Sequence, residues 1–156
     1  MADWDARFMG LARFVGSWSK DRSTKVGCVI VGPSNELRAV GYNGFVRGMD
    51  DDDDDKHLRP AKYSWTEHAE RNAIYHAAMT GVALNGCRIY LPWFPCMDCA
   101  RAIVQSGIRE LIAVKPDLVD ERWGADFVNA LEMFDATGTL VRYFPLDQAS
   151  ETPEVN

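Results

Sequence analysis

Two short segments carry residues whose types and spacing suit metal chemistry: His68-Ala69-Glu70 and Pro95-Cys96-Met97-Asp98-Cys99. Cysteines three apart at the start of a helix point their sulfurs the same way and can chelate one ion. A third ligand is needed, and His68 is the natural one, because it also opens a helix after a strand or turn. A His/Cys/Cys set leaves tetrahedral zinc one open position for water, whose pKa zinc lowers to roughly 7 from 15.7. Two helix N-termini would aim their positive dipole ends at the site, each worth about 0.3–1 kcal/mol. Glu70, two residues after His68, can approach that water without ligating the ion and move protons as general acid and base.

Each segment alone has a plainer reading. A lone C-x-x-C also suits a redox pair or half of a structural zinc site, and a lone H-x-E is weak. Their joint occurrence, with Pro95 just before the first Cys, matches the H-x-E…P-C-x-x-C signature of zinc deaminases. A structural site would want a fourth Cys or His, and Cys28, Cys87, His57 and His76 show no paired ligand spacing. Cys28 and Cys87 lie in or beside apolar strands and read as small core residues. His76 reads as a packing or surface residue, and His57 as a solvated group or a pocket group.

The elements that must position these residues follow from periodicity. Trp4, Phe8, Leu11, Val15 and Trp18 recur at helical spacing, so a first helix is expected from an Asp3 N-cap to near Lys20. Val26 to Val31 and Leu37 to Tyr42 read as an antiparallel hairpin around the turn GPSN. A long loop then runs from Asn43 to about Ser64. The next helix is expected over Thr66 to Met79, stopped by Gly81, with Thr66 or the box-like Ser64-x-x-Glu67 as cap. Arg88 to Leu91 reads as a strand, Cys96 to Ser106 as a helix closed by Gly107, and Leu111 to Val114 as a strand. Phe127, Ala130, Leu131 and Phe134 mark a last helix, and Leu140 to Phe144 a last strand before a polar tail at about 146–156. Strands alternating with helices predict one α/β domain over 1–156: a three-layer α/β/α sandwich on a mixed five-stranded sheet, parallel in its second half.

Charge narrows the partners. The 156 residues hold 17 Lys+Arg against 23 Asp+Glu, net −6, and that excess equals the tract Asp50 to Asp55. Affinity built on neutralising many phosphates of a nucleic acid is therefore not expected. The N-terminal stretch has acids at Asp3 and Asp5 and no long apolar run, which predicts neither a signal peptide nor a membrane span and makes the cytoplasm the expected compartment. The tract itself reads as a solvated, self-repelling loop bordering the pocket mouth or a subunit interface, or as hard carboxylates for the Mg²⁺ that accompanies nucleotide phosphates.

The segments SWSKDRSTKVGCVIVG (Ser17 to Gly32), AVGYNGF (Ala39 to Phe45), AKYSWTEHAERNAI (Ala61 to Ile74) and LPWFPCMDCARAIVQSGI (Leu91 to Ile108) resemble the deoxycytidylate deaminase branch of the cytidine deaminase superfamily. The resemblance covers about 17–113. It implies His68, Cys96 and Cys99 as ligands of one catalytic Zn²⁺, Glu70 as the proton shuttle, and Asn43 as a sugar or base contact. It also implies a phosphate end lined by Ser23, Thr24 and Lys25. The implied reaction is hydrolytic deamination of a cytosine nucleotide, dCMP to dUMP with release of ammonia, by a homo-oligomer, either hexamer or dimer. The chain departs from the family pattern at Met49, where a Cys is usual, and at Glu67, where Cys often precedes the zinc His; Glu67 adds negative charge beside the metal. Competing expectations are a deaminase of another small nucleoside, nucleobase or heterocycle, a tRNA adenosine deaminase, and a noncatalytic zinc module.

Overall fold

The computed structural model describes residues 3–145. The first helix, α1, spans Trp4–Gly16, with the Asp3 carboxylate accepting from the Ala6 N–H as its N-cap. It stops four residues short of the expected Lys20 because Gly16 runs into the start of the first strand, β1 (Gly27–Val31). A Cβ on Gly27 would stand 1.8 Å from the Ala12 carbonyl and 2.4 Å from the Gly16 nitrogen, so the helix meets the strand where neither chain has a side chain. Trp18 therefore lies beyond the helix.

β2 (Leu37–Tyr42) pairs antiparallel with β1, and β1 pairs antiparallel with β5 (Arg88–Leu91). β6 (Glu110–Val114) and β7 (Leu140–Phe144) then add in parallel, giving the order β2-β1-β5-β6-β7. The mixed five-stranded sheet is as expected. β1 is buried at every position, as a central strand covered on both faces requires. On one face α1 buries Phe8, Met9 and Ala12 with Val29, Val31, Tyr90, Ile112 and Phe144. The other face holds the larger core, formed with α4 (Ala69–Thr80), α5 (Met97–Gln105) and α6 (Gly124–Thr137). Gly81, Gly107 and Gly138 all take positive φ beyond the ends of these helices.

The expected long loop is largely structured. It contains β3 (Gly44–Phe45), α2 (Asp54–His57) and α3 (Lys62–Trp65), and β3 pairs with β4 (Thr66–Glu67). This pairing corrects the start of the following helix. Thr66 and Glu67 are extended, neither Thr66 nor Ser64 caps it, and His68 occupies the N-cap position.

The acidic tract also differs from a self-repelling coil. Asp51 pairs with Lys20 at 2.7 Å, Asp54 with Arg22 at 2.5 Å, and Asp53 with Lys56 while capping α2. Among the described residues no helix is long and apolar enough to cross a membrane. The expected polar tail at 146–156 lies outside the described residues.

Candidate active site

His68 and Cys96 each stand at the N-cap of a helix, α4 and α5, with extended backbone. Ordinary N-cap residues spend their side chain on the first-turn N–H groups. Here both side chains turn toward each other. His68 Nδ1 lies 3.4 Å from Cys96 Sγ and 3.5 Å from Cys99 Sγ, and the three ligand atoms fall within 4.8 Å of one another. A tetrahedral zinc with ordinary Zn–S and Zn–N bonds separates such atoms by about 3.6 Å, so this donor set fits the ion.

The position of α4 is fixed by Gly41 of β2, where a Cβ would stand 2.3 Å from the Ala69 carbonyl and 2.4 Å from the Ala73 nitrogen. The helix carrying His68 and Glu70 thus lies directly on the sheet. Cys99 is fully buried, while Cys96 and His68 reach a cavity of about 500 Å³. The Cys99 thiol hydrogen-bonds to Cys96, and with His68 beside it the Cys96 thiol is held down at about 4. The same bond and burial push Cys99 well above its usual range. The Cys96 hydrogen bond pushes the His68 imidazole up.

Glu70 is 4% exposed and lines the same cavity as His68 and Cys96. Burial pushes its carboxyl above the usual carboxylate range, the His68 charge opposing the shift. Glu67 faces elsewhere. Its Oε1 accepts from the His68 N–H at 3.0 Å and from the Arg71 guanidinium, and Arg71 reaches Asp98 at 3.4 Å. The carboxylate expected to add charge at the metal is therefore paired, and the chain Glu67–Arg71–Asp98 ties the His68 turn to the Cys96/Cys99 turn.

Asn43 lines the cavity, with its amide bonded to backbone: Oδ1 accepts from Val26 N–H at 2.9 Å and Nδ2 donates to the Thr24 carbonyl at 2.8 Å. One Nδ2 hydrogen remains for another acceptor. Thr24 lines the cavity. Ser23 and Lys25, expected with it, are exposed and outside the lining, although Ser23 Oγ accepts from the lining residue Lys62 at 2.7 Å. Lys62 also forms a buried ion pair with Asp21 at 2.9 Å. None of the six tract aspartates lines this cavity; Asp51 lines a second one of about 240 Å³.

Several lining residues were not found from the sequence: Arg59, Lys62, Tyr63, Arg122, Trp123 and Phe127. Arg59 and Lys62 arrive through α3 and the turn before it, which the acidic loop concealed. Trp123 stacks edge-on to His68 at 6.3 Å and to Tyr63 at 6.4 Å.

The family described as "Cytidine and deoxycytidylate deaminase zinc-binding region" matches residues 2–115. The chain is 40% identical over 150 residues to an uncharacterized deaminase in the luxG 3' region of Aliivibrio fischeri, covering 94% of this chain and 97% of that one. It is 34% identical over 148 residues to human deoxycytidylate deaminase, covering 91% and 80%. Its fold is similar to the crystal structure of dCMP deaminase from the cyanophage S-TIM5 in complex with dCMP and dUMP, with a TM-score of 0.71 and 21% identity over 88% of this chain and 94% of that one. The match takes in both helix starts that bring His68, Cys96 and Cys99 together, and the chain belongs to the cytidine and deoxycytidylate deaminase zinc-binding family.

Proposed function

We propose that the protein is a zinc-dependent deaminase that converts dCMP to dUMP with release of ammonia. The observation that carries this reading is one cavity lined by His68, Cys96 and Glu70 and also by the exposed Arg59 and Arg122. The likeness over most of its length to a chain named deoxycytidylate deaminase supports the substrate. His68, Cys96 and Cys99 would hold Zn²⁺, which when bound lowers the pKa of a water to roughly 7.

The chain's own residues supply the rest. Val26, Phe94, Trp123 and Phe127 give apolar walls for a flat ring, and Asn43 retains an N–H for the sugar or base. The Glu70 carboxylate takes a proton from the water that adds at cytosine C4 and passes protons to N3 and to the departing amine. Water and a cytosine nucleotide thus give ammonia and a uracil nucleotide.

Phosphate recognition falls to Arg59 with Ser23, already 3.5 Å apart, and to Arg122, which lines the same cavity. The tract carboxylates expected to hold Mg²⁺ beside a nucleotide phosphate lie outside this cavity. A homo-oligomer acting in the cytoplasm completes the reading. Its support is the half-exposed set Phe14, Trp18 and Tyr42, packed edge to face at 5.6 and 6.0 Å on one surface, and four unpaired cysteines among the described residues.

A panel of dCMP, deoxycytidine, cytosine and adenosine, read by ammonia release, tests the substrate. Turnover fastest with dCMP is expected. Arg59→Ala should raise the KM for dCMP by about 10- to 100-fold, the loss of one hydrogen bond between charged groups, and leave deoxycytidine unchanged. Preference for an unphosphorylated base would favour the other small heterocycle instead.

A further inference from the structure

The family match ends at residue 115, yet the first turn of α6, beyond it, touches each part of the metal-bearing region. Trp123, at the N-cap of α6, lies edge-on to the His68 ring at 6.3 Å. Phe127 packs edge-on against Phe94, two residues before Cys96, with centroids 5.6 Å apart. Between them, Asp126 Oδ2 accepts from the Met97 N–H at 3.2 Å.

This last bond fills a gap that every helix start leaves. A helix start leaves its first N–H groups without partners, and the N-cap side chain ordinarily reaches that of the second or third residue, not the first. Cys96 holds that position in α5, its sulfur placed in the His68/Cys99 cluster and bonded to the Cys99 N–H of the third helical position, so the Met97 N–H of the first position needs an acceptor from elsewhere. The cap arrives from another helix. The Asp126 carboxylate lies in the first turn of α6 and also at the start of α5, so one negative charge serves the positive ends of two helix dipoles.

We propose that Asp126 is a positioning residue for the metal: by holding the Met97 N–H it fixes the backbone that aims Cys96, and it couples the cavity wall made by Trp123 and Phe127 to the cysteine turn. Without it, the freed N–H next to Cys96 would turn to a thiolate and change that ligand's donor strength and direction. Hydrogen bonds that orient ligands from behind the coordination sphere typically govern metal affinity by 10- to 100-fold.

The inference rests on the His68/Cys96/Cys99 ligand set. Full-length parent, Asp126→Ala and Asp126→Asn are loaded with Zn²⁺, and its transfer to a colorimetric chelator is timed; parallel samples take Co²⁺ for absorption spectra. Asp126→Ala is expected to release zinc about tenfold or more faster and to shift the Co²⁺ ligand-field bands. Asp126→Asn, whose amide oxygen still accepts from the Met97 N–H, should stay near the parent. Should the alanine variant be insoluble, Asp126→Ser serves in the same comparison. Parental zinc release and spectrum in the alanine variant overturn the proposal, as does an asparagine variant as impaired as alanine. A parent without a thiolate-to-cobalt charge-transfer band overturns the ligand set, and the inference with it; the failure then appears in all the chains.

Discussion

Glu67 and Glu70 flank the same histidine turn and have opposite settings. The place of Glu70 was legible from its spacing, because H-x-E at a helix start brings the carboxylate to the cavity that His68 lines. The setting of Glu67 was not, because its partner Arg71 is held in turn by Asp98 of another helix. The buried pair Asp21–Lys62 was hidden for the same reason: 41 residues separate its members. Burial alone would raise the Asp21 carboxyl, but the Lys62 hydrogen bond and the Thr24 and Ser23 N–H groups outweigh it and hold it at about 2. A carboxyl depressed on folding stabilises above its unfolded value, near 3.8, and that contribution fades as the pH falls toward 2. The difference is about 2 kcal/mol. Denaturant unfolding at pH 6 and at pH 2.5 should therefore show a larger loss of stability in the parent than in Asp21→Asn; equal losses would contradict the pairing.

At the level of elements, the sheet strands were legible because period and composition agree: Leu37–Tyr42, Arg88–Leu91 and Leu140–Phe144 were located from apolar runs bounded by turn residues. The stretch from Asn43 to about Ser64 reads from sequence as a single loop, and Thr66 and Glu67 as the start of a helix. Its two-residue strands and four-residue helices are too short to leave a period, and they exist through tertiary pairing such as Gly44 with Glu67. The tract follows from this. Since Asp51, Asp53 and Asp54 pair with Lys20, Lys56 and Arg22 and none lines the larger cavity, changing all three to Asn should leave the KM for dCMP within about twofold at low salt, as exposed ion pairs contribute little. Steady-state kinetics at two ionic strengths checks this, and a large salt-dependent change in KM would return the tract to the pocket.

For the whole molecule, patterning foretold the α/β layers and the mixed sheet, while part of the cavity lining was hidden because Arg59, Arg122 and Trp123 come from connections whose path only packing decides. The aromatic patch around Phe14 and Trp18 belongs to this scale too. Sedimentation of the parent at micromolar concentration is expected to show more than one chain, and Phe14→Glu with Trp18→Glu to shift it toward a single chain; a monomeric parent would contradict self-association through that face. The central claim is that a zinc centre of His68, Cys96 and Cys99 works with Glu70 on a cytosine nucleotide. Its most direct test is the rate of ammonia release from dCMP by zinc-loaded parent and Glu70→Gln protein of equal zinc content. The account predicts stoichiometric ammonia and dUMP from the parent and a loss of about 10²- to 10⁴-fold in the variant. Equal rates in the two, or no ammonia from the zinc-loaded parent, would contradict it.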